Sequence, residues 1–254
     1  MTQDLLFEIH DGIGVITLNR PQARNALTFA MYERIAEIAA APGEARALIV
    51  TGAGDKAFAA GTDIAQFRAF RGAEEAIAYE AKLDRVLGAL ERCEIPTIAA
   101  VAGACTGGGA GIAAACDLRL AAATARFGFP IARTLGNCLS MANIARLSAL
   151  IGPARVTEMI FTARLLNAGE ALSAGLVSEV LDDQPALLAR ADALARQVAG
   201  NAPLTLRATK EALRRLRDAL PPDEDLIRLC YTSNDFREGM DAFLGKRAPI
   251  WTGR

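Results

Sequence analysis

Short apolar runs closed by glycine turns alternate with amphipathic segments along much of the chain. Residues 5–9 and 14–19 read as two strands joined at Asp11-Gly12, and Arg20-Pro21 ends the second. Residues 28–40 place Met31, Ile35 and Ile38 on one helical face. Residues 47–51 form a short buried strand before Gly52-Ala53-Gly54, and residues 72–92 read as one long helix. A continuous apolar run begins at Ile95, turns through Gly107-Gly108-Gly109 and continues as small helix-compatible residues to Asp117. Strands are then expected at 117–121 and 125–129, and helices at 137–150 and 155–162. Asn167-Ala168-Gly169-Glu170 carries the signature of a capped helix start. A strand is expected over 176–181, and helices over 185–199 and 204–220. Pro221-Pro222 breaks the pattern before a last helical region, 223–243. Strands alternate with helices up to about residue 181, and the remainder is nearly all helix. That order predicts an α/β core followed by a helical appendage.

Two stretches carry most of the chemical information. Residues 95–117 and 57–64 each lead from an apolar strand into a turn rich in glycine and alanine. A strand that turns on glycine into a helix leaves backbone N–H groups unpaired at the helix start, with no side chain to keep a ligand away. Two such turns can offer one N–H each to a shared oxygen, and that pairing stabilises an oxyanion more than a neutral carbonyl. Taken alone, a glycine triplet is better explained by close packing of a helix on a sheet.

Composition narrows the field. The 254 residues are 52% hydrophobic and 22% charged with a net charge of −1, which suits one large globular unit and no nucleic-acid partner. No apolar run matches a membrane span, and residues 1–6 are too short for a signal peptide, so a cytoplasmic protein away from membranes is expected. The five cysteines form no CxxC pair and read as reduced thiols, not metal ligands. His10 is the single histidine, which leaves little room for a Ser-His-Asp triad. Gly52-Ala53-Gly54-Asp55-Lys56-Ala57 matches a relaxed dinucleotide fingerprint, but Gly61 and Thr62-Asp63 break the helix that such a site requires.

At these residues the chain resembles the crotonase, or enoyl-CoA hydratase/isomerase, superfamily over nearly its full length. The resemblance rests on Ile16-Thr17-Leu18-Asn19-Arg20-Pro21 with Asn25-Ala26-Leu27, on residues 57–64 and 96–117, and on Ala125-Arg126-Phe127-Gly128 and Ala174-Gly175-Leu176-Val177. Near the end it includes Pro203-Leu204, Thr209-Lys210-Glu211, Glu238-Gly239-Met240 and Lys246-Arg247. It implies an α/β fold of the ClpP/crotonase type. A spiral of ββα units would form an acyl-CoA-binding core (residues 1–200), followed by a helical trimerisation region (201–254). It implies homotrimers, often paired into hexamers, and a CoA thioester as substrate, with no metal or separate cofactor. By position, the oxyanion donors are the N–H groups of Thr62 and Gly108. The CoA contacts are Ala23, Arg24, Ala60, Asp63 and Ile64, with Lys246 reaching the CoA of a neighbouring subunit.

The sequence departs from the hydratase pattern at both catalytic acids. The position two residues after the glycine triplet is Gly111, and Pro130 is followed by Ile131 and Ala132. Water addition needs one group to activate water and another to deliver a proton. Arg133, Thr134, Asn137 and Cys138 lie in the segment expected to line the acyl pocket, and Glu74, Glu75, Tyr79, Glu80 and Asp84 lie on the preceding helix. Arg133 and Asn137 are the weaker catalytic candidates. The expectation is an enzyme of this family that stabilises a thioester enolate. Decarboxylation or hydrolysis on the same scaffold, and a CoA-binding homologue without activity, are the rivals.

Overall fold

The computed structural model describes residues 4–69, 72–217 and 224–252. In chain order the first elements are β1 (Leu5–His10), β2 (Ile13–Leu18), α1 (Phe29–Ala40), β3 (Ala47–Gly52), β4 (Ala57–Ala59) and α2 (Ala73–Arg92). They continue as β5 (Thr97–Val101), β6 (Ala104–Thr106), α3 (Gly108–Ala115), β7 (Leu118–Ala122), β8 (Arg126–Gly128) and α4 (Ile131–Thr134). Then come α5 (Met141–Ile151), α6 (Pro153–Phe161), β9 (Leu166–Asn167), α7 (Ala168–Ser173), β10 (Glu179–Leu181) and α8 (Gln184–Ala199). The C-terminal helices are α9 (Pro203–Arg217), α10 (Glu224–Tyr231) and α11 (Asn234–Leu244).

Two sheets result, ordered β1-β2-β3-β5-β7-β10 and β4-β6-β8-β9. Three successive ββα units, β3-β4-α2, β5-β6-α3 and β7-β8-α4, each give one strand to either sheet, so the chain winds as a spiral. Within it β3, β5 and β7 run parallel, as do β4, β6 and β8. The central strands β3 and β5 of the first sheet are apolar on both faces. Leu48, Val50, Ala99 and Val101 join the main core, while Ala47, Ile49, Ile98 and Ala100 pack beneath Leu187, Ala191 and Ala195 of α8. Burial on both faces explains why these strands read as continuous apolar runs.

The hairpin forms as expected at Asp11-Gly12, where φ is 50° and 78°, and Asn167 with Glu170 makes a full capping box. Three expectations needed correction. The run 176–181 is strand only from Glu179. Gly175 (φ 76°) ends α7, and the N–H groups of Leu176 and Val177 close that helix end on the Ala171 carbonyl. The helix expected from 137 begins at Met141, because the Ser140 hydroxyl accepts the Asn143 N–H and caps it there. The region 223–243 is two helices, the second started by Ser233, whose hydroxyl accepts the Phe236 N–H. The Pro221-Pro222 break lies outside the described residues. No helix among the described residues is long and apolar enough to cross a membrane.

An ion network ties α9 to the core. Arg146 grips Glu91 through Nε and a terminal nitrogen at 2.7 and 2.9 Å, and Arg217 reaches the same carboxylate at 2.7 Å. Burial alone would raise the Glu91 carboxyl. The Arg146 hydrogen bond and the charges of Arg146 and Arg217 outweigh it and hold the group below its ordinary value. Glu91→Gln, which leaves Arg146 buried without its counter-charge, is expected to destabilise the fold by about 3–5 kcal/mol at pH 7. A carboxylate with a lowered folded pKa stabilises above its unfolded value and loses that stabilisation as pH falls through the folded one. The gap between wild type and variant in urea unfolding should therefore narrow below about pH 4.3. A gap independent of pH would show that Glu91 acts by packing alone.

Candidate functional site

The site forms where two successive spiral turns leave the second sheet. β4 and β6 are parallel neighbours. The turns that follow them pass through Gly61 (φ 109°) and Gly107 (φ 52°), backbone angles that side-chain-bearing residues rarely adopt. The turns abut closely: a Cβ placed on Gly107 would lie 3.5 Å from the Gly61 Cα, and one on Gly108 3.2 Å from the Thr62 Oγ1. Gly108 is the first residue of α3, so its N–H has no partner within the helix. Neither that N–H nor the N–H of Thr62 donates to an acceptor among the described residues. Both residues border one cavity of about 580 Å³.

A hydroxyl cluster braces this junction. The Oη atoms of Tyr32 and Tyr79 each lie 2.8 Å from the Thr62 Oγ1. Burial pushes both phenols up, so they remain neutral hydroxyls at pH 7. Tyr32 Oη occupies the space beside Gly108, where a Cβ would fall only 1.8 Å from it. Tyr32 shares the apolar stripe of α1 with Ile35, and residue spacing alone gives no sign that its hydroxyl is functional.

The mouth of the cavity is fixed from the Arg20–Asn25 turn. Asn25 is fully buried with φ 54°. Its amide donates to the carbonyls of Ala53 and Ala57 at 3.0 and 2.7 Å, and its Oδ1 accepts the Arg20 N–H at 3.0 Å. The Ala60 N–H bonds the Arg24 carbonyl, and the Arg20 guanidinium holds the Asp63 carboxylate through two contacts of 3.1 Å. These links bring Ala23, Arg24, Ala60, Asp63 and Ile64 to the same cavity wall. The Asp63 carboxylate is thus engaged by Arg20. The exposed Arg24 guanidinium pairs with no carboxylate among the described residues. Asn25 had carried only a motif in the sequence; its three hydrogen bonds show that it seats this wall.

Other sequence candidates divide. Gly111 and Ile131 line the cavity, and a Cβ on Gly111 would press to 3.2 Å from Leu87 Cδ1. Thr134 and Asn137 also line it, as do Tyr79 and Glu80. Arg133 is exposed and absent from the lining, because Ile131 and Thr134 are the residues of the short α4 turned inward. Lys246 is exposed beyond the lining residues Phe243 and Leu244. Glu74 and Glu75 are exposed, and Asp84 accepts the Ser140 hydroxyl at 2.7 Å outside the lining. Burial pushes the Cys105 thiol well above its usual range and Cys116 to about 12, which suits core packing.

A family model described as enoyl-CoA hydratase/isomerase matches residues 8–254. The chain belongs to the enoyl-CoA hydratase/isomerase family. Among this family's members, the probable enoyl-CoA hydratase echA8 of Mycobacterium bovis is 38% identical, over 99% of either chain. An enoyl-CoA hydratase/carnithine racemase from Magnetospirillum magneticum has a solved structure that is 35% identical. It superimposes with a TM-score of 0.80, covering 100% of this chain and 97% of the other. The structure of a methylmalonyl-CoA decarboxylase in complex with 2-nitronate-propionyl-CoA is 28% identical. It superimposes with a TM-score of 0.89 over 98% of either chain. The present chain is accordingly a crotonase-fold enzyme of acyl-CoA chemistry, and both hydratases and a decarboxylase share its scaffold.

Proposed function

We propose that this family member binds an acyl-CoA with the thioester oxygen between the N–H groups of Thr62 and Gly108. It would form the enolate there by loss of CO₂ from a 2-carboxyacyl-CoA. The observation that carries the reading is the cavity wall. The positions expected to hold hydratase acids are Gly111 and either Ile131, which lines the cavity, or Ala132, which is exposed, while the paired N–H donors are present and engage no acceptor among the described residues. Decarboxylation needs no base to reach the enolate. The bond to the departing carboxylate breaks, its electron pair moves through the α carbon onto the thioester oxygen, and CO₂ leaves. The enolate is then protonated to the shortened acyl-CoA. The superposition on a methylmalonyl-CoA decarboxylase supports the reading that this scaffold accommodates such a reaction. The test is release of CO₂ from malonyl-CoA and methylmalonyl-CoA. A protein that binds both esters and turns over neither would support the second reading, a CoA-ester binder without activity.

The CoA moiety lies, on this reading, against Ala23, Arg24, Ala60, Asp63 and Ile64, with the unpaired Arg24 facing phosphate. An acyl-CoA should bind at least about tenfold more tightly than its free acid, since a charged contact contributes roughly 1.5–3 kcal/mol. Arg24→Ala should remove much of that margin. Equal calorimetric affinity for ester and acid would remove the basis for the CoA assignment.

The assembly is proposed as a homotrimer or a hexamer. α9 presents Leu204, Leu213 and Leu216 to solvent at 75%, 63% and 84% exposure. Leu213 and Leu216, three residues apart, share one face of the helix, and an exposed apolar pair of this kind is expected at an oligomer contact. Lys246 is proposed to act across that contact. Light scattering at micromolar concentration should give a multiple of three chains, and a monomer would contradict it.

A further inference from the structure

We infer that the Thr62 hydroxyl, resupplied by the phenols beside it, delivers the proton that quenches the enolate at its α carbon; this rests on the decarboxylase reading of the cavity. Loss of CO₂ leaves an electron pair shared between the thioester oxygen and the α carbon. A proton must then reach that carbon, and neither acid of the hydratase pattern is present to supply it. Three hydroxyls meet beside the paired N–H groups instead. Tyr32 Oη and Tyr79 Oη each lie 2.8 Å from Thr62 Oγ1. Both tyrosines are buried, whereas Thr62 is half-buried on the cavity wall and is the member open to a ligand. The Thr134 hydroxyl, on the same wall, donates to the Pro130 carbonyl at 3.0 Å and is directed away.

Hydrogen counting gives the direction of the contacts. Thr62 Oγ1 carries one hydrogen and has two lone pairs. Tyr32 is fully buried, and its hydroxyl meets only Thr62 among the described residues. Its hydrogen therefore goes to Oγ1; turned elsewhere it would be a buried donor without a partner. The Thr62 hydrogen is then shared with Tyr79 or turned into the cavity. Oγ1 also lies 3.2 Å from where a Cβ on Gly108 would stand, so it sits beside both N–H donors. The α carbon is bonded to the carbonyl carbon that those donors hold, which brings it within reach of Oγ1. Burial pushes both phenols up, so they keep their hydrogens at pH 7. The thioester enolate is the stronger base and still draws one. In the step, the α carbon forms its C–H bond with the Thr62 hydrogen and Oγ1 takes the Tyr79 hydrogen. Solvent water reprotonates the phenolate after release, so one proton is taken from solvent for each CO₂ lost. The role begins once the enolate exists, and the positions of Gly111 and Ile131 still decide how it arises.

The experiment converts methylmalonyl-CoA in D₂O and determines the configuration of the 2-deuteriopropionyl-CoA formed, a readout independent of which step limits the rate. A fixed donor places deuterium on one face, so the wild type should give one enantiomer in large excess. Thr62→Val keeps the side-chain shape and the main-chain N–H and removes only the hydroxyl. It should still release CO₂ but lose the excess, which a merely structural role would not do. Thr62→Ala carries the test if the valine variant fails to fold. Thr62→Ser keeps the hydroxyl and should keep the excess, as should Thr106→Val, which removes a cavity hydroxyl outside the cluster. Racemic product from the wild type, or an excess unchanged in the folded valine or alanine variant, overturns the inference and leaves the decarboxylase reading intact. Loss of the excess in Thr62→Ser or Thr106→Val as well assigns the selectivity to cavity shape and also overturns it. Absence of CO₂ release from the wild type overturns the decarboxylase reading and this inference together.

Discussion

Crotonyl-CoA hydration by this protein should be at least about 10⁴-fold slower than by a family member that carries both glutamates. A positioned acid or base typically contributes about 10²–10⁴-fold, and both expected positions lack one. Gly111 has no side chain, and Leu87 stands 3.2 Å from where its Cβ would begin. Ile131 is buried and apolar at the second position. Restoring the chemistry by Gly111→Glu alone should fail, because the new side chain would have to displace Leu87 from a packed wall. The assay is loss of the enoyl absorbance under saturating crotonyl-CoA. A rate within tenfold of an ordinary hydratase would show that another group, with Glu80 the first to test, has taken over water activation.

Replacing the Gly108 N–H should lower turnover of whichever CoA ester the protein converts by roughly 10²–10³-fold, the usual effect of deleting one oxyanion donor. The direct variant, Gly108→Pro, confounds two changes. Proline removes the donor, and its conformation suits the first helical residue. Its Cβ, however, would collide with Tyr32 Oη. The informative comparison is made in a Tyr32→Phe background, where the nearest remaining ring atom is 3.1 Å from the added carbon. That background change should cost about 1 kcal/mol of stability through the lost bond to Thr62. Gly108→Ala in this background adds the carbon and keeps the N–H; Gly108→Pro adds the carbon and deletes it. A large fall for proline against a small one for alanine assigns the loss to the donor. Equal falls would assign it to crowding and remove Gly108 from the proposed oxyanion pair.

The two glycine turns were legible because glycine at a strand end is a local signal, and β4 and β6 do end where residues 57–64 and 95–117 suggested. Their meeting in space was not legible, since it depends on a parallel pairing between β4 and β6 across an intervening 20-residue helix. The hydroxyl cluster was hidden for the same reason. Tyr32, Thr62 and Tyr79 are 30 and 17 residues apart, and each reads locally as core or turn. Asn25 looked like a motif letter; only the left-handed backbone and its bonds to Ala53 and Ala57 show why an amide is needed there. Arg133 illustrates the reverse failure. Its place in the segment expected to line the acyl pocket made it a catalytic candidate, but a four-residue helix turns only some of its side chains inward, and sequence does not say which.

Because β4 and β6 are adjacent parallel strands, main-chain pairing brings together the two turns that carry Thr62 and Gly108. The residues that differ from the hydratase pattern sit instead on helices, Gly111 on α3 and Ile131 on α4, with Glu80 on α2. On the proposed reading, anchoring and chemistry are therefore separable in this scaffold. An engineer, or natural drift, could exchange the helix-borne groups as interchangeable tools while the socket proposed to hold the thioester keeps its dimensions. Libraries restricted to positions 80, 111 and 131 should consequently change which reaction occurs more readily than they change whether the ester is held.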